Sequence, residues 1–435
     1  MRKALAIMMC MGCMGGALAQ NPIIRDRFTA DPTARVFNGK VYLFPSHDIK
    51  APDDYPRKDW FCMNDYHVYS SENLTDWEDH GVILSQQDVP WGNPKAYSMW
   101  APDCVEKGGK YYFYFPDAGK PPKRGFGIGV AIAEHPEGPY IPMDEPIANI
   151  MGIDPCVLVD DDGKSYLYYA MGGKIYGAQL QDNMTELATD TTVMQGLPDG
   201  FKEGPFVFKR NNIYYLTMPW VRTNTETLAY AMSDNPLGPF QFKGLIMEES
   251  PSGCWTNHHS LVEYKGVWYL FYHHNDYSPG FDKLRSTRID TVTFNDDGTI
   301  NPLRPTLRGV GITPAFTTIQ IDRYSGISQG AAIAHLDTAN TFLGWKTVFE
   351  QPGSHVDYDN VYFSKATKGI ILRATAPEGA RLRVVAGSRT KEIDIPATSA
   401  WKETDAPFVM KTTGTHRVRV ELVRGKVSVD WIRFR

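Results

Sequence analysis

Cysteine is scarce in this 435-residue chain: six in all, with Cys10 and Cys13 close to the N-terminus. Cys62, Cys104, Cys156 and Cys254 are left for the body; their spacing is not that of a zinc site, and no structural disulfide is expected among them. A charge excess is missing too. Lys and Arg number 45 against 50 Asp and Glu, a formal net charge of −5, so the basic face that phosphate binding needs is absent and no nucleic-acid partner is expected. After residue 19 no stretch reaches the ~18 apolar residues of a membrane span.

The N-terminal run is different. Met1-Arg2-Lys3, the apolar residues from Ala4 onward and the closing Ala17-Leu18-Ala19 have the charged, apolar and small-residue layout of a secretory signal. Residues 1–19 are expected to be a signal peptide, and the mature chain to be exported to the periplasm or the medium, with a lipid anchor on Cys13 as the alternative.

What the body does have is a repeated unit. Five stretches begin at Asp31, Asp103, Asp154, Glu203 and His258, each a polar residue, a short apolar strand, a Gly or Asn turn and a second aromatic strand. That is the signature of a β-hairpin. The leading positions lie 72, 51, 49 and 55 residues apart, and strand-rich units recurring at roughly 40–50 residues point to a β-propeller, here of five blades. Radial blades would bring Asp31, Asp154, Glu203 and His258 to one end of a common axis. Singly, each could be a turn former opening a strand; three carboxylates at matched repeat positions argue for a site.

Two carboxyl groups across such a channel suit glycoside hydrolysis, which needs one ionised carboxylate to activate water and one protonated carboxyl for the leaving oxygen. Glu203, before Gly204-Pro205-Phe206 and aromatic strands, is where an acid could be held protonated. Between the first two hairpins, Trp91, Tyr97 and Trp100 are candidates to stack on sugar rings, with packing between blades as the alternative, favoured for Trp100. His47, where the first hairpin meets the irregular run 48–65, is a further candidate for substrate contact. That polar run reads as a rim loop, which suits a blocked, exo-acting pocket better than an open groove.

The ordered set Asp31-Pro-Thr, Trp100-Ala-Pro-Asp103, Gly152-Ile-Asp154-Pro, Lys202-Glu203-Gly-Pro and Asn257-His258-His-Ser resembles glycoside hydrolase family 43, whose fold is a five-bladed propeller. The resemblance implies that Asp31 is the general base, Glu203 the general acid and Asp154 the residue that tunes the acid and orients substrate. It also implies one calcium ion in the channel near His258, with His259 the alternative, and a sugar-contacting arginine, for which Arg285 fits better than Arg288. No organic cofactor is expected.

From Thr317 onward the texture changes to regular short strands with turn signals, which reads as a β-sandwich. Ile319-Gln-Ile-Asp-Arg-Tyr-Ser-Gly, Asp357-Tyr-Asp-Asn-Val-Tyr-Phe and the closing Val429-Asp-Trp-Ile-Arg-Phe434 resemble carbohydrate-binding module family 6. Gln320 stands where that family usually has a carboxylate, which argues against a calcium site there. Trp345 and Trp401 are candidate sugar platforms, with core or interface packing as the alternative.

The expected protein is thus all-β: a propeller over residues 20–305 and a jelly-roll-like sandwich over 306–435. It is expected to act as a monomer on a carbohydrate substrate. By the resemblance it is an inverting, exo-acting α-L-arabinofuranosidase on plant cell-wall polysaccharide or its fragments. β-Xylosidase, endo-arabinanase and galactan-directed activities of the same family are the alternatives, and a non-catalytic sugar-binding propeller is the alternative of another class.

Overall fold

Each repeated unit folds as an antiparallel meander, because its alternating apolar strands are joined by turns whose residues accept positive φ, such as Asn38-Gly39, Gly108-Gly109, Asn211-Asn212 and Lys265-Gly266. The computed structural model describes residues 21–122, 125–249, 253–278, 280–340 and 343–435. The expected signal peptide, with Cys10 and Cys13, lies outside these residues. Among the described residues there is no α-helix.

The meanders form five sheets. Blade 1 consists of β1 (Thr29–Phe37), β2 (Lys40–Ile49), β3 (Cys62–Ser71) and β4 (Glu78–Ser85). Blade 2 has β5 (Asp103–Lys107), β6 (Lys110–Ala118), β7 (Phe126–Ala133) and β8 (Ile141–Pro142). Blade 3 has β9 (Ile153–Val159), β10 (Ser165–Met171), β11 (Lys174–Leu180) and β12 (Thr192–Val193). Blade 4 has β13 (Phe206–Arg210), β14 (Ile213–Val221), β15 (Glu226–Ser233) and β16 (Gln241–Met247). Blade 5 has three strands, β17 (His259–Tyr264), β18 (Val267–His274) and β19 (Ser286–Val292).

Aromatic and aliphatic side chains fill the gaps between blades. Phe44, Tyr66, Phe113 and Phe115 pack blade 1 on blade 2, and Ala34, Leu43, Tyr69 and Phe271 pack blade 1 on blade 5. The ring closes twice. At the axis, Ala34 N–H donates to Ser260 Oγ (2.9 Å), whose hydroxyl donates to the Pro32 carbonyl (2.8 Å). At the rim, the N-terminal segment supplies blade 5 with its missing edge: Ile23 N–H donates to the Thr287 carbonyl, and the Asn21 amide exchanges two 2.9 Å bonds with the backbone of Ile289.

Arg35 plugs the axis. From β1 its guanidinium makes paired bonds to Asp103 on β5 (3.0 and 2.6 Å), donates to the Val157 carbonyl on β9 (3.1 Å) and lies 4.8 Å from the centre of the Phe206 ring on β13. It therefore touches three other innermost strands besides belonging to the first.

The C-terminal domain is a sandwich of two six-stranded sheets. Its strands alternate strictly, as in Ala380–Ala386, where every second side chain is buried. Phe349, Tyr358, Phe363, Leu372, Leu382, Ile432 and Phe434 are part of its core. Trp345 is not a free platform: one face stacks on His335 (4.0 Å between centroids) and the other contact is Tyr277 of the propeller (5.5 Å). Trp401 has the Arg373 guanidinium 5.1 Å over its ring.

Candidate active site

A cavity of about 150 Å³ opens at one end of the propeller axis and is walled by Asp31 of blade 1, Asp154 of blade 3, Glu203 of blade 4 and His258 and Arg285 of blade 5, together with aromatic residues of the rim. Two of the carboxylates sit where the backbone breaks its regular pairing. The β1–β2 register slips between Ala30 and Thr33, and the β9–β10 register slips near Tyr168, opposite the start of β9. At these two bulges Asp31 and Asp154 adopt φ of 47° and 56°, a conformation unusual for a residue with a Cβ. Each bulge re-aims one carboxyl into the cavity, and the strain is of the kind stored at functional sites. Glu203 is aimed by its successor: Gly204 has φ +66°, its N–H donates to Asp154 Oδ2 (2.9 Å), and a Cβ there would meet Pro219 at 2.7 Å and His258 Nδ1 at 3.3 Å.

Electrostatics separate the carboxyls. Burial is the largest single influence and pushes the Asp31 carboxyl up, but the Arg285 guanidinium, together with His273, His258 and the Ser46 hydroxyl, holds the group below the usual carboxylate range. Arg285 Nη1 donates to Asp31 Oδ1 (2.9 Å), while Nε and Nη2 grip Asp48 (2.9 Å each). One cation thus serves two buried carboxylates, and Asp48, the deeper, is left above its ordinary value by burial. His273 is neutral, since burial drives it far down and its Nδ1 accepts the Asp31 N–H (3.0 Å). Glu203 goes the other way: burial and then the Asp31 charge raise it. Asp154 is raised by burial and by Glu203, and Glu226 behind them by the same two causes. Three carboxyls that resist ionising together therefore face one that is held ionised.

Of the residues singled out from sequence, Asp31, Asp154, Glu203, His258, Arg285 and Trp100 line the cavity. Others do not. Trp91 is buried on Phe115 (6.1 Å, nearly parallel), in a slot that exists because positions 127 and 129 are glycines; a Cβ on Gly129 would come within 2.8 Å of its ring. Tyr97 lies edge-on to Tyr55 and so braces the 50–61 loop from behind. His47 is turned away from the cavity, its Nδ1 2.9 Å from Asp65 Oδ1. His259 is buried against Thr217 Oγ1 (2.7 Å), and Arg288 is ion-paired with Asp276.

Trp60, Phe61, Met63, Trp255, Thr256 and Asn257 complete the walls. Asn257 stands in the Asn257-His258-His-Ser motif, but sequence reading assigned none of the six to the site: Trp60, Phe61, Trp255 and Thr256 lie in rim segments outside the repeat, and Met63 lies at the start of β3, in the outer half of blade 1. The 48–65 run was recognised as a pocket-shaping loop, and the adjacent aromatic pair Trp60-Phe61 within it was the available signal. Trp255 is 40% exposed at the mouth.

A calcium ion held at His258 would have to draw most of its oxygen ligands from water. Calcium takes six to eight oxygens. His258 offers nitrogen, while the two carboxylates that act on it, Asp31 and Asp103, are engaged by Arg285 and Arg35. The Arg35 guanidinium already places a positive charge on the axis.

Comparison with known proteins agrees with this geometry. Residues 19–300 match the model of glycosyl hydrolases family 43. Residues 330–434 match that of carbohydrate binding module family 35, which corrects the expected family 6. "Xylosidase/arabinosidase 43A" of Humicola insolens is 37% identical over 333 residues, 65% of this chain and 99% of that protein. "Beta-xylosidase" of Xylanibacter ruminicola is 35% identical over 323 residues, 64% of this chain and 97% of that one. The crystal structure of CoXyl43, a β-xylosidase/α-arabinofuranosidase from a compost microbial metagenome solved with xylotriose in a calcium-free form, is 36% identical, has a TM-score of 0.60, and covers 66% of this chain and 98% of its own. The chain belongs to glycosyl hydrolases family 43: it is a glycoside hydrolase, built as a propeller that carries a C-terminal sandwich similar to carbohydrate binding module family 35.

Proposed function

We propose that the protein is an inverting, exo-acting β-xylosidase that also removes α-L-arabinofuranosyl groups from plant cell-wall oligosaccharides. The observation that carries the reading is the opposite electrostatic bias of Asp31 and Glu203 within one small cavity. Asp31, kept ionised by Arg285, takes a proton from water as it attacks the anomeric carbon. Glu203, kept protonated, delivers its proton to the departing glycosidic oxygen. Asp154 holds the Gly204 N–H and so orients Glu203, and its own carboxyl is raised by burial and by Glu203. No step depends on a metal ion.

The cavity supports exo action. About 150 Å³ is room for roughly ten water-sized positions, close to the heavy-atom count of one pentose. A space of that size suits one terminal sugar. Xylosidase is placed ahead of the expected arabinofuranosidase because β-xylosidase recurs in the names of similar proteins, often paired with arabinosidase. The leader at residues 1–19 supports export.

The test is hydrolysis of paired aryl β-D-xylopyranoside and aryl α-L-arabinofuranoside substrates, with the first-formed anomer followed by proton NMR. Xylose released first as the α-anomer is the expected result. A product of retained configuration, or activity on neither glycoside, would overturn the proposal.

A further inference from the structure

Blade 1 carries a cluster of titratable side chains that the cavity does not use. His47 on β2 and Asp65 and His67 on β3 bring one imidazole Nδ1, one carboxylate oxygen and one imidazole nitrogen within 4.8 Å of one another. His47 Nδ1 lies 2.9 Å and His67 Nε2 3.7 Å from Asp65 Oδ1. These spacings bracket the edge of about 3.3 Å expected for a tetrahedron with metal–ligand bonds of ~2.0–2.1 Å. The pleat accounts for the grouping, since Asp65 and His67 are two apart and share a face, beside the end of β2.

The surroundings distinguish this cluster from an ordinary hydrogen-bonded trio. His67 Nδ1 is 3.0 Å from Asp79 Oδ1, the carboxylate–histidine arrangement that commonly backs a metal-binding imidazole, and it directs the bare Nε2 toward Asp65. With His67 as the Nδ1–H tautomer, its Nε2 lone pair lies 3.7 Å from Asp65 Oδ1, a separation that a cation shared by the two can span. Asn64 Nδ2 donates to the other Asp65 oxygen (3.1 Å), so Oδ1 is the oxygen turned to both imidazoles, with His47 Nδ1 at 2.9 Å. Arg27 is the one cation at hand, and it binds Asp79 Oδ2 (2.7 Å) and Tyr69 (3.1 Å) on the far side of His67, 3.4 Å from Nδ1 rather than Nε2. The His47 side chain is 23% exposed, which gives an ion a way in and a position for water.

We propose that His47, Asp65 and His67 bind one zinc ion, with water as the fourth ligand. Two imidazoles and one carboxylate suit zinc rather than calcium or magnesium, which prefer all-oxygen shells. The ion ties the end of β2 to β3. Because His47 precedes Asp48, it pins the strand that holds Arg285 without entering the cavity.

The test uses the full chain, purified without a histidine tag and stripped with chelator, titrated with zinc chloride by calorimetry. The four body cysteines are all buried and do not compete. One equivalent should bind and raise the melting temperature. His67→Asn should abolish the calorimetric signal, and Asp79→Asn, which meets His67 at its far nitrogen and also loses a charge partner of Arg27, should weaken binding by about 10–100-fold. Cobalt(II) in place of zinc should give the visible bands of a four-coordinate nitrogen and oxygen site in the wild type, a readout that does not depend on any variant folding. No uptake by the folded wild type, or unchanged affinity in a folded His67→Asn protein, would overturn the assignment.

Discussion

Arg285 and Asp31 are joined at 2.9 Å, and the same guanidinium is clamped from behind by Asp48. The base is therefore kept charged by a cation that is itself held in place by a second buried carboxylate. Arg285→Met removes a buried charge from between two others and should cost about 3–5 kcal/mol, read from urea unfolding. In any folded fraction the Asp31 carboxyl, having lost its cation, should titrate higher, moving the acidic limb of the rate profile up in pH. An unmoved limb would dissociate Arg285 from the base.

Asp31→Asn should lower turnover of aryl β-xyloside about 10²–10⁴-fold in protein that remains folded by circular dichroism, since the amide cannot accept the proton from water. Wild-type rates in the purified variant would remove Asp31 from the mechanism.

Glu203→Gln should discriminate between leaving groups. Xylobiose, whose departing oxygen needs a proton, should lose nearly all turnover, while a dinitrophenyl xyloside should lose far less. Equal losses on both substrates would point to a role other than proton donation.

The pH dependence follows from the same pair. Asp31 works ionised and is held low, so activity should rise as pH climbs through a value below the ordinary carboxylate range. Glu203 works protonated and is held high, so activity should fall as pH passes a value above its ordinary one. A bell between those limits is expected for kcat/KM, and Glu203→Gln should erase the alkaline side on the dinitrophenyl substrate.

Gly204→Ala would push a methyl group into Pro219 and His258 and force φ +66° on a residue with a Cβ. Displacing Glu203 in this way should reduce kcat by up to about 10²-fold while leaving circular dichroism unchanged. Full activity would mean that the Asp154 to Gly204 bond does not set the position of the acid.

Asp31, Asp154 and Glu203 were legible because a propeller repeats itself: matched positions in similar hairpins must face the same axis. The repeat also marked Asp103, yet that residue serves Arg35 rather than the cavity, a difference that depends on a side chain 68 positions away. Trp91 misled for a comparable reason. An aromatic beside turn residues looks the same at a channel mouth and between blades, and what buries it is the missing Cβ at Gly127 and Gly129. Trp255 and Glu226 carry no repeat signal and become visible only once blades 4 and 5 stand side by side. The sandwich was readable from its alternation, but alternation is common to many sandwiches, and the strand pattern shared by families 6 and 35 could not separate them.

Asn21 and Ile289 lie 268 positions apart, yet together they form the rim seal of the last blade. A nascent chain can complete hairpins as they emerge, but the latch has no counterpart until nearly three hundred residues have been made. The circle must therefore stay open throughout synthesis of the catalytic domain and snap shut as one of its final events.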